Sequence, residues 1–261
     1  RMLSTYVFSS LDPAVASNLE DWWSSGIVLF SHLYTYDGEG NLVPEVAADM
    51  PTVSEDGLVY TISLNLDVTF SNGRAVTAED VKFTFERVLN PATQSWGGPG
   101  LGNIAGAAEF SSGEAEEVSG IRIVDESTIE FTLLTPQYTF PAVLTSSTYG
   151  IVPMQEVLDA GTDWGTEVLI SSGPFYLTEF VPGEKMVYAK NPHYYKEGLP
   201  YLDGIEIAMN VDKSVAALRR QGGEAEFVPA DSLPPAELVA AQSDESYKEA
   251  LRLAPSGIIT L

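Results

Sequence analysis

From residue 58 to residue 66, Leu58, Tyr60, Ile62, Leu64 and Leu66 alternate with Val59, Thr61, Ser63 and Asn65. A period of two puts the first set on one face of an extended chain, which suits a half-buried strand and not a helix. Asp56-Gly57, just ahead, is a chain-reversal signal. The pattern recurs twice as strand, turn, strand. Residues 121–124 and 128–133 flank Asp125-Glu126-Ser127, and residues 175–181 and 185–190 flank Pro182-Gly183-Glu184. Hairpins impose antiparallel pairing, so an all-helical fold is ruled out.

Helical spacing is clearest after Thr77-Ala78-Glu79-Asp80, a capping box in which the Thr hydroxyl and the Asp carboxylate satisfy first-turn amides. Val81, Phe85, Val88 and Leu89 then share one face. Asn90-Pro91 stops the helix, because a residue before proline avoids helical geometry. Shorter helices are expected at 153–160, 214–221 and 235–242. Strands and helices follow no regular βαβ rhythm and no repeat. The expected fold class is therefore α/β in the mixed α+β sense, with part of the sheet antiparallel.

Composition narrows function. Acidic residues number 37 and basic residues 13, for a net charge of −24. That balance opposes nucleic acid as a partner, since phosphate binding needs clustered Lys and Arg. It also opposes docking on an anionic membrane by charge. Apolar residues make up 44% of the 261 positions, enough for a packed core. With no cysteine and two histidines, thiolate metal sites, disulfides and cysteine nucleophiles are excluded, and neither a cofactor nor a metal is expected. The longest uncharged stretch, 131–155, is broken by Pro136, Pro141 and Pro153 and is too polar for a membrane helix. No apolar run of signal-peptide type follows Arg1-Met2-Leu3.

Motifs for known chemistries are sparse. Residues 100–105 match G-x-G-x-x-A, but a dinucleotide site needs a strand before and a helix after that turn, whereas here a helix and a proline turn precede it. There is no G-x-S-x-G elbow, phosphate-binding loop or H-E-x-x-H pair. His32 and His193 have no second histidine at ligand spacing and read as structural or surface residues. Trp96 sits beside Gly97-Gly98-Pro99-Gly100 in a long loop, 90–106. It reads either as an aromatic rim for a ligand or as a side chain folded back onto its own domain. Trp22-Trp23, Tyr34, Tyr36, Tyr149, Tyr194-Tyr195 and Tyr201 add aromatic surface for a core or a ligand.

Seven segments in order carry a resemblance. They are Leu11-Asp12-Pro13; residues 33–47, ending Gly40-Asn41-Leu42-Val43-Pro44-Glu45-Val46-Ala47; residues 54–61; residues 68–81, with Ser71-Asn72-Gly73 and Thr77-Ala78-Glu79-Asp80-Val81; Ser172-Gly173-Pro174-Phe175-Tyr176-Leu177; Lys190-Asn191-Pro192-His193-Tyr194-Tyr195; and Pro200-Tyr201-Leu202-Asp203-Gly204-Ile205. Together the chain resembles family 5 of the extracytoplasmic solute-binding proteins, which serve peptide, dipeptide and nickel ABC importers.

The resemblance implies a periplasmic-binding-protein-like fold of class II, in the large cluster with an extra inserted domain, of which this chain is the first lobe. Residues 1–45 would be the first part of domain I, 46–166 the inserted domain II, and 167–261 the second part of domain I. The last of these would end near the hinge to a second lobe. The strand-like final run 251–261 fits such a truncation. The implied protein is monomeric, works outside the cytoplasm as a periplasmic or cell-surface lipoprotein, and passes a peptide or similar small solute to an ABC permease without catalysis. The ligand-side residues it implies are Ser9, Leu11, Ser31, His32, Trp96, Tyr149, Ser171 and Ser172. Ser31-His32 replaces an acidic–glycine pair of peptide-binding relatives, Ser171-Ser172 replaces Gly-Thr, and Glu224-Ala225-Glu226 also departs from the family pattern. Two other classes stay open on the sequence: a secreted hydrolase using paired carboxylates, and a sensory or interaction module on the same fold.

Overall fold

The computed structural model describes residues 1–8, 10–15, 28–229, 232–237 and 239. Ser9, Trp22-Trp23, the terminal run 251–261 and part of the helix expected at 235–242 lie outside the described residues. The chain divides into two compact units. The smaller comprises 1–7, 181–186 and 206–261, and the larger comprises 8–180 and 187–205.

In chain order the described elements are β1 (Met2–Leu3), β2 (Tyr34–Tyr36), β3 (Leu42–Pro44), β4 (Thr52–Val53), β5 (Val59–Ser63), α1 (Ala78–Leu89), α2 (Ala107–Ser112), β6 (Ile121–Asp125), β7 (Thr128–Thr132), α3 (Phe140–Val143), α4 (Met154–Ala160), β8 (Phe175–Val181), β9 (Lys185–Lys190), β10 (Gly204–Ala208) and α5 (Lys213–Gln221). The fold is mixed α/β, with the three expected hairpin regions forming strands.

In the larger unit, β4, β5, β7 and β6 form an antiparallel sheet in that order. Tyr60 pairs with Phe131 and Ile62 with Ile129, so the apolar alternation of β5 meets that of β7 on the buried face. α1 lays Val81, Phe85 and Val88 into the same core, and the rings of Phe85 and Phe131 meet edge-on at 5.2 Å. The capping box forms as its sequence requires: Thr77 Oγ1 accepts from the Asp80 amide while the Asp80 carboxylate accepts from the Thr77 amide. Asn90 is extended, with φ −71° and ψ 122°, and ends the helix before Pro91.

The alternation runs past the strand it announces. β5 stops at Ser63, and Leu66 is 73% exposed. Asn65 explains the stop, because its side chain accepts from the Asp67 amide and its carbonyl from the Val68 amide, turning the chain there.

In the smaller unit, β1 pairs in parallel with the end of β10, Met2 opposite Ile207 and Leu3 opposite Ala208. Leu3, Ala216, Ala225 and Val228 form its core. Asp212 caps α5 by accepting from the amides of Ser214 and Val215. No helix among the described residues is long and apolar enough to cross a membrane.

Candidate functional site

Four of the sequence-predicted residues, Ser31, His32, Ser171 and Ser172, meet in one buried polar seam of the larger unit. Residues 28–33 run between two other segments, 149–151 and 171–175. The Ser31 amide donates to Ser172 Oγ at 3.0 Å, and Ser31 Oγ donates to the Ser172 carbonyl at 3.1 Å. Ser172 Oγ in turn donates to the Ile151 carbonyl at 2.8 Å, and the Ile151 amide donates to the Ser31 carbonyl at 2.9 Å. Three segments are thus stitched by two hydroxyls. Gly173 permits the approach: a Cβ there would lie 2.7 Å from the carbonyl carbon of Leu29 and 2.8 Å from the amide nitrogen of Phe30.

Ser171 extends the seam. Its hydroxyl donates to the Phe175 carbonyl at 2.8 Å. Its main chain pairs with Ser71, whose hydroxyl accepts from the Ser171 amide at 3.1 Å and whose amide donates to the Ser171 carbonyl at 2.7 Å. Ser31, Ser171 and Ser172 are all buried, with each hydroxyl donated to a main-chain carbonyl. None donates to His32, so these residues lack the nucleophile–base contact that acyl transfer requires. Their geometry instead presents the chain at 29–32 in one fixed conformation.

His32 is held from one side. Its amide donates to Glu45 Oε2 at 2.7 Å, and its Nδ1 lies 3.6 Å from the same oxygen. Its Nε2 is buried and has no hydrogen-bond partner. Burial pushes the Glu45 carboxyl up, but the hydrogen bonds and charge of His32 outweigh it and hold the group below the usual glutamate range. The Tyr195 hydroxyl donates to the Glu45 carbonyl at 3.0 Å. Burial first, and the Glu45 charge second, push both Tyr194 and Tyr195 above the ordinary tyrosine range.

Tyr149 reaches the seam through Gly150 and Ile151. Its ring is buried, its hydroxyl donates to the Gly97 carbonyl at 2.8 Å, and burial pushes its pKa up to about 12. Trp96, beside Gly97, is 72% exposed and is not folded back onto its own domain. Leu11 is fully buried, and its amide donates to the Gly165 carbonyl at 2.8 Å. The next residue, Asp12, makes a two-pronged ion pair with Arg87, 2.8 Å on one side. Glu45, Ser71 and Trp164 belong to this neighbourhood and were not singled out on the sequence. Glu45 and Ser71 lay inside recognised motifs, but only the folded chain brings them to His32 and Ser171. Among the described residues, no group of three His, Asp or Glu side chains is arranged to hold a metal ion.

The mixed α/β fold gives the architecture, and comparison with known proteins gives the family. The model for the bacterial extracellular solute-binding proteins, family 5 (middle region), matches residues 41–260. The chain belongs to that family. It is 31% identical over 237 residues to a probable deoxycholate-binding periplasmic protein of Escherichia coli (strain K12), covering 86% of this chain and 43% of that protein. It is 27% identical over 234 residues to a dipeptide-binding protein of Bacillus subtilis (strain 168), covering 85% of this chain and 41% of the relative. Among solved structures, a periplasmic oligopeptide-binding protein of Borrelia burgdorferi superimposes with a TM-score of 0.84 at 28% identity, covering 94% of this chain and 49% of the other. The murein tripeptide binding protein of Escherichia coli does so with a TM-score of 0.84 at 25% identity, covering 94% and 48%. The chain thus spans less than half the length of each of these proteins.

Proposed function

We propose that this chain is one lobe of a solute receptor that captures a peptide or a chemically similar small molecule outside the cytoplasm and delivers it to an ABC permease. In this reading the protein works as a monomer and does not alter its ligand. Family membership over residues 41–260 is the observation that carries the reading. The printed names of two relatives, dipeptide-binding and oligopeptide-binding, support peptides as the ligand class. The seam supports it physically. A receptor of this kind needs a rigid main-chain ledge against which a flexible ligand can be aligned, and the chain at 29–32 is fixed by four hydrogen bonds to Ser172, Ile151 and Gly173. Ser31, His32, Ser171, Ser172 and Tyr149 would build that ledge, Leu11 would flank it, and Trp96 would stand at its rim; Ser9 joins the ligand-side set on the family resemblance alone.

Residues 1–45 and 167–261 are proposed to be parts of domain I and 46–166 the inserted domain. Limited proteolysis checks this division: early cuts near 45 and 166 agree with it, and one resistant core spanning both positions contradicts it. The function itself is tested by thermal-shift screening of the complete gene product against di- to pentapeptides, oligosaccharides and nickel chelates. A concentration-dependent rise in melting temperature with peptides is expected. No response to any of these solutes would overturn the assignment.

A further inference from the structure

Among the described residues, two buried side-chain nitrogens lack a hydrogen-bond partner, and both border the same segment. One is Nε2 of His32. The other is Nε1 of Trp164, a residue that is 5% exposed and whose ring centroid lies 6.5 Å from that of Phe30, two residues before His32. Trp164 is also next to Gly165, whose carbonyl takes the Leu11 amide and whose backbone runs against Ser10 and Asp12. The indole therefore sits where segments 10–12 and 28–32 come together. An unpaired buried donor is costly, and native proteins keep few of them, so each calls for a role. Elsewhere the seam is saturated: Ser31, Ser171 and Ser172 spend every hydroxyl proton on a carbonyl.

We propose that the Trp164 indole N–H is a solute-binding donor, unpaired in this structure and taken up by an oxygen acceptor of the bound solute. The inference rests on the solute-receptor reading above and adds to it a residue and a ligand chemistry. Indole N–H only donates, so the group that meets it is a carbonyl, carboxylate or hydroxyl oxygen and not an ammonium. Because the nitrogen is buried, the solute reaches it as the surrounding loops shift, in keeping with a receptor that closes on its ligand. His32 Nε2, two residues along the chain from Phe30, offers the same ledge a second unpaired nitrogen.

The test uses the complete gene product and its Trp164→Phe variant, which keeps an aromatic ring and removes the donor. Di-, tri- and tetra-alanine are titrated by calorimetry, and the indole N–H resonances are followed by NMR, with Trp164 identified by the signal lost in the variant. The expected result is binding weakened about threefold to tenfold, an unliganded melting temperature no lower than that of the wild type, and a shift of the Trp164 N–H signal on binding. Equal affinities, or a signal that stays in place while the wild type binds, would overturn the role of Trp164 and leave the receptor function intact. Binding of none of the peptides by the wild type would overturn the peptide ligand class and the role of Trp164 together.

Discussion

Two polar clusters of the larger unit do comparable mechanical work by different chemistry. Around Asp80, charge does it. Arg74 reaches Asp80 at 2.8 and 2.9 Å and Glu156 at 3.1 Å, while the Asp80 carboxylate also accepts from the amides of Thr77 and Met154. This knot ties the loop before α1, the first turn of α1 and the start of α4. At the seam, neutral hydroxyls and main chain do it, tying 29–32, 149–151 and 171–175. The knot leaves nothing unpaired among the atoms named. The seam is bordered by the two orphan nitrogens of His32 and Trp164. In the reading proposed above, the fully paired knot serves stability, and the two unpaired nitrogens beside the ledge serve a partner that arrives from solution.

The contrast can be broken by substitution. Asp80→Ala strips the knot of its acceptor and leaves the Arg74 guanidinium beside Glu156 alone. A loss of about 3–5 kcal/mol is expected in denaturant unfolding, and a loss below 1 kcal/mol would mean that the knot is dispensable. Gly173→Ala drives a methyl into the Leu29–Phe30 backbone. About 1–3 kcal/mol should be lost, together with solute affinity, because the ledge itself must move; unchanged affinity would detach the ledge from binding. Ser172→Ala removes one donor and one acceptor at once and strands the Ser31 amide and the Ile151 carbonyl, for an expected cost of about 1–2 kcal/mol in thermal unfolding.

The smallest effect concerns pH. Glu45 has its folded pKa held below the ordinary glutamate value, so its ionised form adds stability above that value, and the contribution fades as pH falls through and below the carboxylate range. The stability gap between wild type and Glu45→Gln should therefore narrow as pH is lowered from about 5 to about 3. A gap that widens over that range would reverse the sign assigned to the His32–Glu45 contact.

The knot was legible in the sequence and the seam largely was not. Thr77 and Asp80 are three residues apart, so a local rule reads their mutual capping, and Val81, Phe85 and Val88 advertise the buried face of α1 by spacing alone. Even so, Arg74 and Glu156 are 82 residues apart, and nothing local announces their pairing. Ser31 and Ser172 are 141 residues apart, and serine carries no periodic signal. Those positions came from resemblance to a family, which marked segments without saying what each side chain touches. Tyr149 shows the limit: the resemblance marks its segment, and only the folded chain shows its hydroxyl donating to the Gly97 carbonyl. Trp164 shows the converse, since a buried indole is an ordinary core residue in any sequence pattern, and only its missing partner sets it apart. The alternation through Leu66 overran because period-two patterns do not encode where a side chain such as Asn65 will turn the chain.

Hydrogen–deuterium exchange on the complete gene product, with and without a saturating peptide, puts the two clusters side by side in one experiment. The expected result is slowed exchange at 28–33 and 171–175 on peptide addition, with residues 74–81 unchanged. Protection confined to 74–81, with the ledge exchanging as it does in the free protein, would contradict the claim that the serine seam faces the solute.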